Sequence, residues 1–156
     1  MSEIDVRPLN GSDHSAIERI ATWYLSEWDT PTEKTIGRLR NQPSENTLVQ
    51  LVAYRNGEMV GTGGLCHEVN LLNTHPKFKT LGPWVALLYT DNGHRHKGIG
   101  QSLLEAIELK AKALQFDTIY LYTFTAGSLY TRCGWKTIER IDYKDHPTAI
   151  MVKELK

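Results

Sequence analysis

Residues 93–102, Gly-His-Arg-His-Lys-Gly-Ile-Gly-Gln-Ser, join an apolar stretch to an amphipathic one, and their types and spacing suit them to holding a phosphate. A strand that runs through a loop into a helix leaves unpaired N–H groups at the helix start, with the positive end of the helix dipole behind them. Such an end attracts an anion before any side chain contributes. Gly98 and Gly100 carry no Cβ to keep a phosphate off the backbone. Arg95 and Lys97 add charge, and arginine can grip two phosphate oxygens at once. His94 and His96 stand at i, i+2 with no carboxylate or cysteine partner in the pattern, so no metal is expected. Both are read as solvated or phosphate-facing.

Two nucleotide motifs fail here. In the P-loop pattern Gly93 and Gly98 have the right gap, but Ile99-Gly100 stand where Lys-Ser/Thr must be. In the dinucleotide fingerprint Gly98-x-Gly100 would need a third glycine or alanine at the position of Leu103. What fits is Arg95-x-x-Gly98-x-Gly100, which resembles the R/Q-x-x-G-x-G/A pyrophosphate loop of the GNAT superfamily of N-acetyltransferases. The run Leu-Leu-Tyr-Thr-Asp-Asn-Gly before and into it is similar to that family's strand–loop–helix core. Downstream, Ala126-Gly-Ser-Leu-Tyr130-Thr-Arg-Cys-Gly134-Trp135 is similar to the family's second motif, A-x-x-x-Y-x-x-x-G-F, with Trp for the final Phe. Thr123 departs from the family, because many members carry there an Asn that helps hold the coenzyme, so no contact is carried over to it.

The resemblance implies an acyltransferase that uses acetyl-coenzyme A as co-substrate and needs no metal. Residues 95–100, namely Arg95, His96, Lys97, Gly98, Ile99 and Gly100, would cradle the pyrophosphate, with Gln101 and Ser102 at the rim. Backbone groups of Leu88, Tyr89 and Thr90 would line the pantetheine arm, and the Leu88 N–H would donate to the thioester carbonyl. Tyr130 matches the family's general-acid tyrosine. The chemistry itself makes four demands. An alkyl amine with a pKa of about 10 must shed a proton, meet the thioester, form an oxyanion and release a thiolate. The base stays open among Glu68, His67, Tyr89 and a water chain to solvent, since residues 83–90 carry no carboxylate. Glu27 and Asp29 fall where relatives build the acceptor pocket, and Trp23, Trp28 and Trp84 are core or pocket wall.

The elements that must position these groups are legible in the hydrophobic periodicity. Ile4-Asp5-Val6-Arg7 alternates as a short strand that Pro8 stops. Ser12 or Asp13 can cap a helix over Ala16, Ile17, Ile20, Trp23 and Tyr24, and Thr32 a second one that ends before Pro43. Residues 47–54 and 59–69 read as a hairpin around Asn56-Gly57, and 70–82 as a loop. Residues 83–90 are nearly all apolar, as in a strand buried on both faces. After the loop, Ile99, Leu103, Ile107, Ala111 and Leu114 recur on one helical face. A strand at 118–125, a short helix at about 127–133 and strands near 135–143 and 148–154 complete the order. The expected fold class is α/β with a mixed sheet: one GNAT-like domain over 1–156, six to seven strands and about four helices.

Bulk properties exclude other classes. Lys plus Arg equals 18 and Asp plus Glu equals 18, so no global field draws a nucleic acid or an anionic membrane. No stretch approaches the roughly 20 apolar residues of a membrane span, and the first ten residues hold no apolar run of a signal peptide. Cys66 and Cys133 are too few for a disulfide framework and are expected to pack as small apolar groups. A cytoplasmic enzyme acting on a small-molecule or peptide amine is the expectation. The acceptor could be a small amine, an amino acid, an antibiotic or a protein N-terminus. A coenzyme-A-binding sensor without turnover is the competing reading, and a nucleotide-binding module is disfavoured. Many relatives pair as dimers through their C-terminal strands, and residues 135–156 leave a homodimer open.

Overall fold

The computed structural model describes residues 3–124 and 127–155. Seven strands form one mixed sheet: β1 (Ile4–Pro8), β2 (Thr47–Arg55), β3 (Glu58–Cys66), β4 (Trp84–Thr90), β5 (Thr118–Thr123), β6 (Lys136–Tyr143) and β7 (His146–Glu154). Their spatial order is β1-β2-β3-β4-β5-β7-β6. All neighbours are antiparallel except β4 and β5, which run parallel as the two strands of a βαβ unit. Five helices accompany them: α1 (His14–Trp28), α2 (Thr32–Arg40), α3 (Leu71–Thr74), α4 (Ile99–Ala113) and α5 (Gly127–Arg132).

The sheet carries three apolar clusters. On one face α4 sets Ile99, Leu103, Leu104 and Ile107 against Val49, Leu51, Val60 and Val85, joined by Tyr130 and Trp135 from the α5 region. Each of these fully buried aliphatic chains contributes about 1.5–3 kcal/mol. On the other face α1 and α2 cover the N-terminal half through Ile17, Ile20, Trp23, Tyr24 and Leu39. The C-terminal half of that face is covered by Leu71, Leu72 and Phe78 over Trp84, Tyr143 and Ile150. Residues 70–82, expected to be a loop, hold α3 and a 3-10 turn at Pro76–Thr80 because their apolar residues must roof this aromatic patch.

Local signals work as chemistry requires. Asp13 caps α1, its carboxylate accepting from the Ala16 N–H at 3.2 Å. Asn56 and Gly57 both take positive φ, 54° and 81°, the signature of a type I′ hairpin turn. Thr32 does not cap α2: it is the first helical residue, and Pro31 precedes it with no side-chain cap. The proline's fixed φ starts this helix instead.

Candidate functional site

The site is built where β4 ends. Along its β3 edge, β4 carries a bulge: Thr62 pairs with Tyr89 and Gly64 with Ala86, so Leu87 and Leu88 together oppose Gly63. Leu87 takes φ 54°, a left-handed backbone that costs a non-glycine residue about 1–2 kcal/mol. The Tyr24 hydroxyl donates to its carbonyl at 2.8 Å and holds it there. Gly63 is the small residue the bulge needs, since a Cβ there would stand 2.6 Å from the Leu88 side chain. Along its other edge, β4 pairs with β5 at one position alone, Trp84 with Tyr120. From there the two strands diverge and leave a gap. Leu87, Leu88 and Thr90 are therefore half-exposed, which corrects the expectation of a strand buried on both faces.

At the mouth of the gap the chain turns from Thr90 into α4. Arg95 is extended, and His96 and Gly98 are left-handed at φ 64° and 82°. Successive N–H groups in such a turn form a concave anion-binding nest. Among the described residues, none accepts a hydrogen bond from the backbone N–H groups of 95–101, a run that continues over the first turn of α4. Gly98 is required by its φ. Gly100 faces open space, the nearest atom to a Cβ there being the Thr90 Oγ1 at 3.8 Å. Ile99 buries its side chain in the core and offers only its N–H, while His96, Lys97 and Gln101 lie exposed and Ser102 half-buried.

The side chains around the loop do not all point to it. Arg95 turns back: its Nε donates to the Thr90 carbonyl at 3.0 Å, and its guanidinium lies over the Tyr89 ring at 5.5 Å and 4.0 Å from Glu27. What the loop offers an anion is backbone, with Lys97 exposed beside it. Tyr89 itself is enclosed between Trp23 and Trp28, at ring distances of 5.2 and 6.0 Å. His94 corrects a second expectation, because it has carboxylate neighbours after all. Its Nε2 is 3.5 Å from Glu58, with Asp91 beside it, a set within 4.8 Å of one another. The Arg19 guanidinium, 3.3 Å from Asp91 and 3.7 Å from Glu58, already supplies the positive charge a metal would bring.

Tyr130 reaches the same cluster as Leu88, beneath α4. It is buried, edge-on to Trp135 at 6.2 Å, and burial pushes its phenol up to about 12, with Cys133 adding a smaller rise. Among the described residues no side chain hydrogen-bonds its hydroxyl; the first residue of this motif, Ala126, lies outside them. Glu68 and His67 are not brought to the site. They follow Cys66, which pairs with Trp84 at the start of β4. Glu68 lies five residues beyond Gly63, which faces Leu88, roughly 16 Å at about 3.3 Å per extended residue. Asn46 clasps the Glu68 backbone instead. β3, expected to run to residue 69, ends at Cys66, and the chain carries His67 and Glu68 on past the start of β4, away from Leu88.

Residues 46–137, more than half of the chain, match the family model of the acetyltransferase (GNAT) domain. The chain belongs to the GNAT acetyltransferases. No curated protein matches it in sequence. Solved structures give the GNAT fold over nearly its full length. An aminoglycoside 6'-N-acetyltransferase complexed with coenzyme A is 14% identical, with a TM-score of 0.77 and 97% of each chain covered. Ard1 from Thermoplasma volcanium is 18% identical at a TM-score of 0.71, again over 97% of each chain. A GNAT-family acetyltransferase from Streptococcus pneumoniae is 19% identical at 0.72, covering 99% of this chain and 100% of its own. The mixed sheet and the strand–loop–helix core are thus those of a GNAT protein.

Sequence reasoning missed the polar layer between α1 and the sheet. Gln50 donates to the Thr62 hydroxyl at 2.8 Å and approaches the Tyr24 hydroxyl at 3.4 Å, while Thr62 donates to the Leu51 carbonyl at 2.7 Å. All three residues are buried. The available signal was Gln50, a lone amide inside the apolar run 47–54, since a buried amide must find partners.

Proposed function

We propose that this GNAT protein moves the acetyl group of acetyl-CoA to a primary amine by direct attack in a ternary complex. The observation that carries the proposal is the run of N–H groups over 95–101 with no acceptor among the described residues, set at the open end of the β4–β5 gap. Backbone donors at a helix start suit a pyrophosphate, and the unpaired edge of β4 suits the amide-bearing pantetheine arm. The coenzyme supplies an activated acetyl thioester. The Leu88 N–H donates to its carbonyl as the oxyanion grows. The ammonium gives up one proton before attack; the C–N bond then forms, the C–S bond breaks, and the second proton lost by the nitrogen ends on the sulfur. Tyr130, at about 12, holds its proton more tightly than a thiol near 8.5. Its part is therefore to donate a hydrogen bond to the sulfur as charge gathers there, while the net proton comes from the amine. With Glu68 far along the strand, water at the mouth of the gap takes the first proton to solvent.

The acceptor is a small-molecule or peptide amine, entering from the α1 side where Glu27, Trp28 and Tyr89 meet. The cytoplasm, where acetyl-CoA and free thiols such as Cys66 and Cys133 coexist, is the proposed setting. Among the described residues no helix is long and apolar enough to cross a membrane. Calorimetric titration with acetyl-CoA, using ATP and NAD as controls, tests the proposal. Selective micromolar binding of acetyl-CoA supports it. Equal or absent binding of all three leaves residues 95–101 as a turn and overturns it. Binding without transfer to any amine in a broad panel would favour the sensor reading.

A further inference from the structure

We propose that Tyr24 is a positioning residue for the reaction: from α1 it sets the direction in which the Leu88 N–H meets the thioester oxygen. This rests on the acetyl-transfer reading above. The peptide between Leu87 and Leu88 is planar and trans, so its carbonyl and its N–H point in opposite directions. The carbonyl is fixed on the α1 face by the Tyr24 hydroxyl at 2.8 Å. The Leu88 N–H must then point away from α1, across the strand. Leu87 and Leu88 are the two bulge residues opposite Gly63, where regular pairing is interrupted, and β5 pairs with β4 only at Trp84, so Tyr24 holds this plane from outside the ladder. The left-handed Leu87 would relax toward ordinary strand geometry if it were released. Tyr24 is itself rigid. It is fully buried, packed on Trp28 at 5.5 Å, and its hydroxyl is approached from behind by the Gln50 amide at 3.4 Å. An amide donating to the phenol oxygen leaves the phenol hydrogen for Leu87, so the layer has one direction. The oxyanion donor is thus aimed by a side chain on the opposite side of the sheet from α4.

The test uses the full chain, acetyl-CoA labelled with carbon-13 at the thioester carbonyl, and isotope-edited infrared spectroscopy of the bound form. In the wild type the carbonyl band should shift to lower wavenumber than in free acetyl-CoA, as a directed donor requires. Tyr24→Phe should bind acetyl-CoA as tightly but lose that shift. Should the phenylalanine variant fail to fold, 4-methylphenylalanine at position 24 fills the same volume without a donor and should give the same loss. 4-Aminophenylalanine, which returns a donor to the same point, should restore the shift. A packing role alone would leave the band of a folded variant where the wild type has it, and that outcome overturns the proposal. Absence of acetyl-CoA binding by the wild type would overturn the acetyl-transfer reading, and this one with it.

Discussion

Strand β4 meets its two neighbours in opposite ways. Toward β3 it is paired at five positions between Trp84 and Thr90, interrupted only by the bulge, and Gly61 and Gly63 let α4 and the bulge close in. Toward β5 it is paired once and then let go. Buried backbone groups are costly to leave unpaired, so a sheet that opens within its own core does so where something else can take the ladder's place. At the bulge in the tight seam, the Tyr24 hydroxyl holds the strained peptide at Leu87. The open seam has at its mouth the N–H groups of 95–101, which no described residue accepts from.

That contrast can be broken from either side. The largest effect should come from Gly100→Glu at the mouth of the open seam. A side chain has room there, so the fold should survive, but a carboxylate beside the pyrophosphate should weaken acetyl-CoA binding by about a hundredfold or more by calorimetry. Tyr130→Phe, in the α4-side cluster that Leu88 packs against, should lower turnover by about a hundredfold once an acceptor is known, with coenzyme affinity nearly unchanged. On the closed seam, Gly61→Ala puts a Cβ 2.9 Å from the Tyr89 carbonyl and 3.1 Å from Ile99 and Leu103. It should cost about 1–3 kcal/mol in a denaturant titration, because backbone cannot step aside as a side-chain tip can.

The effect that is smallest near neutral pH is on pH dependence, and it compares two buried tyrosines. Burial pushes both Tyr24 and Tyr130 up to about 12. Unfolded, they titrate near 10, so above that pH the unfolded chain has released protons the folded chain still holds. Stability should be unaffected by these groups below pH 10 and fall from 10 toward 12. Tyr24→Phe should flatten part of that fall in urea midpoints measured across the range.

Much of this was legible in the residues. The hairpin followed from Asn56-Gly57, the long helix from the spacing of Ile99, Leu103 and Ile107, and the GNAT loop from Arg95, Gly98 and Gly100, because each is a signal confined to a few neighbouring positions. Thr32 misled because a proline start and a threonine cap look alike one residue apart. His94 misled because its carboxylate partner, Glu58, lies on another strand. Glu68 sat next to the right strand but at the wrong end of it, and only register separates those cases.

The sequence by itself determined the order of elements, the glycine turn before the long helix and the family, since helix starts, turns and motifs are built from adjacent residues whose backbone preferences act locally. Only the tertiary structure decided how that backbone is aimed. The left-handed Leu87, its tether to Tyr24, the single β4–β5 pair and the turning of Arg95 toward Glu27 all join residues far apart in the chain. Such contacts exist only once the sheet has closed, because a strained peptide persists only where its surroundings hold it.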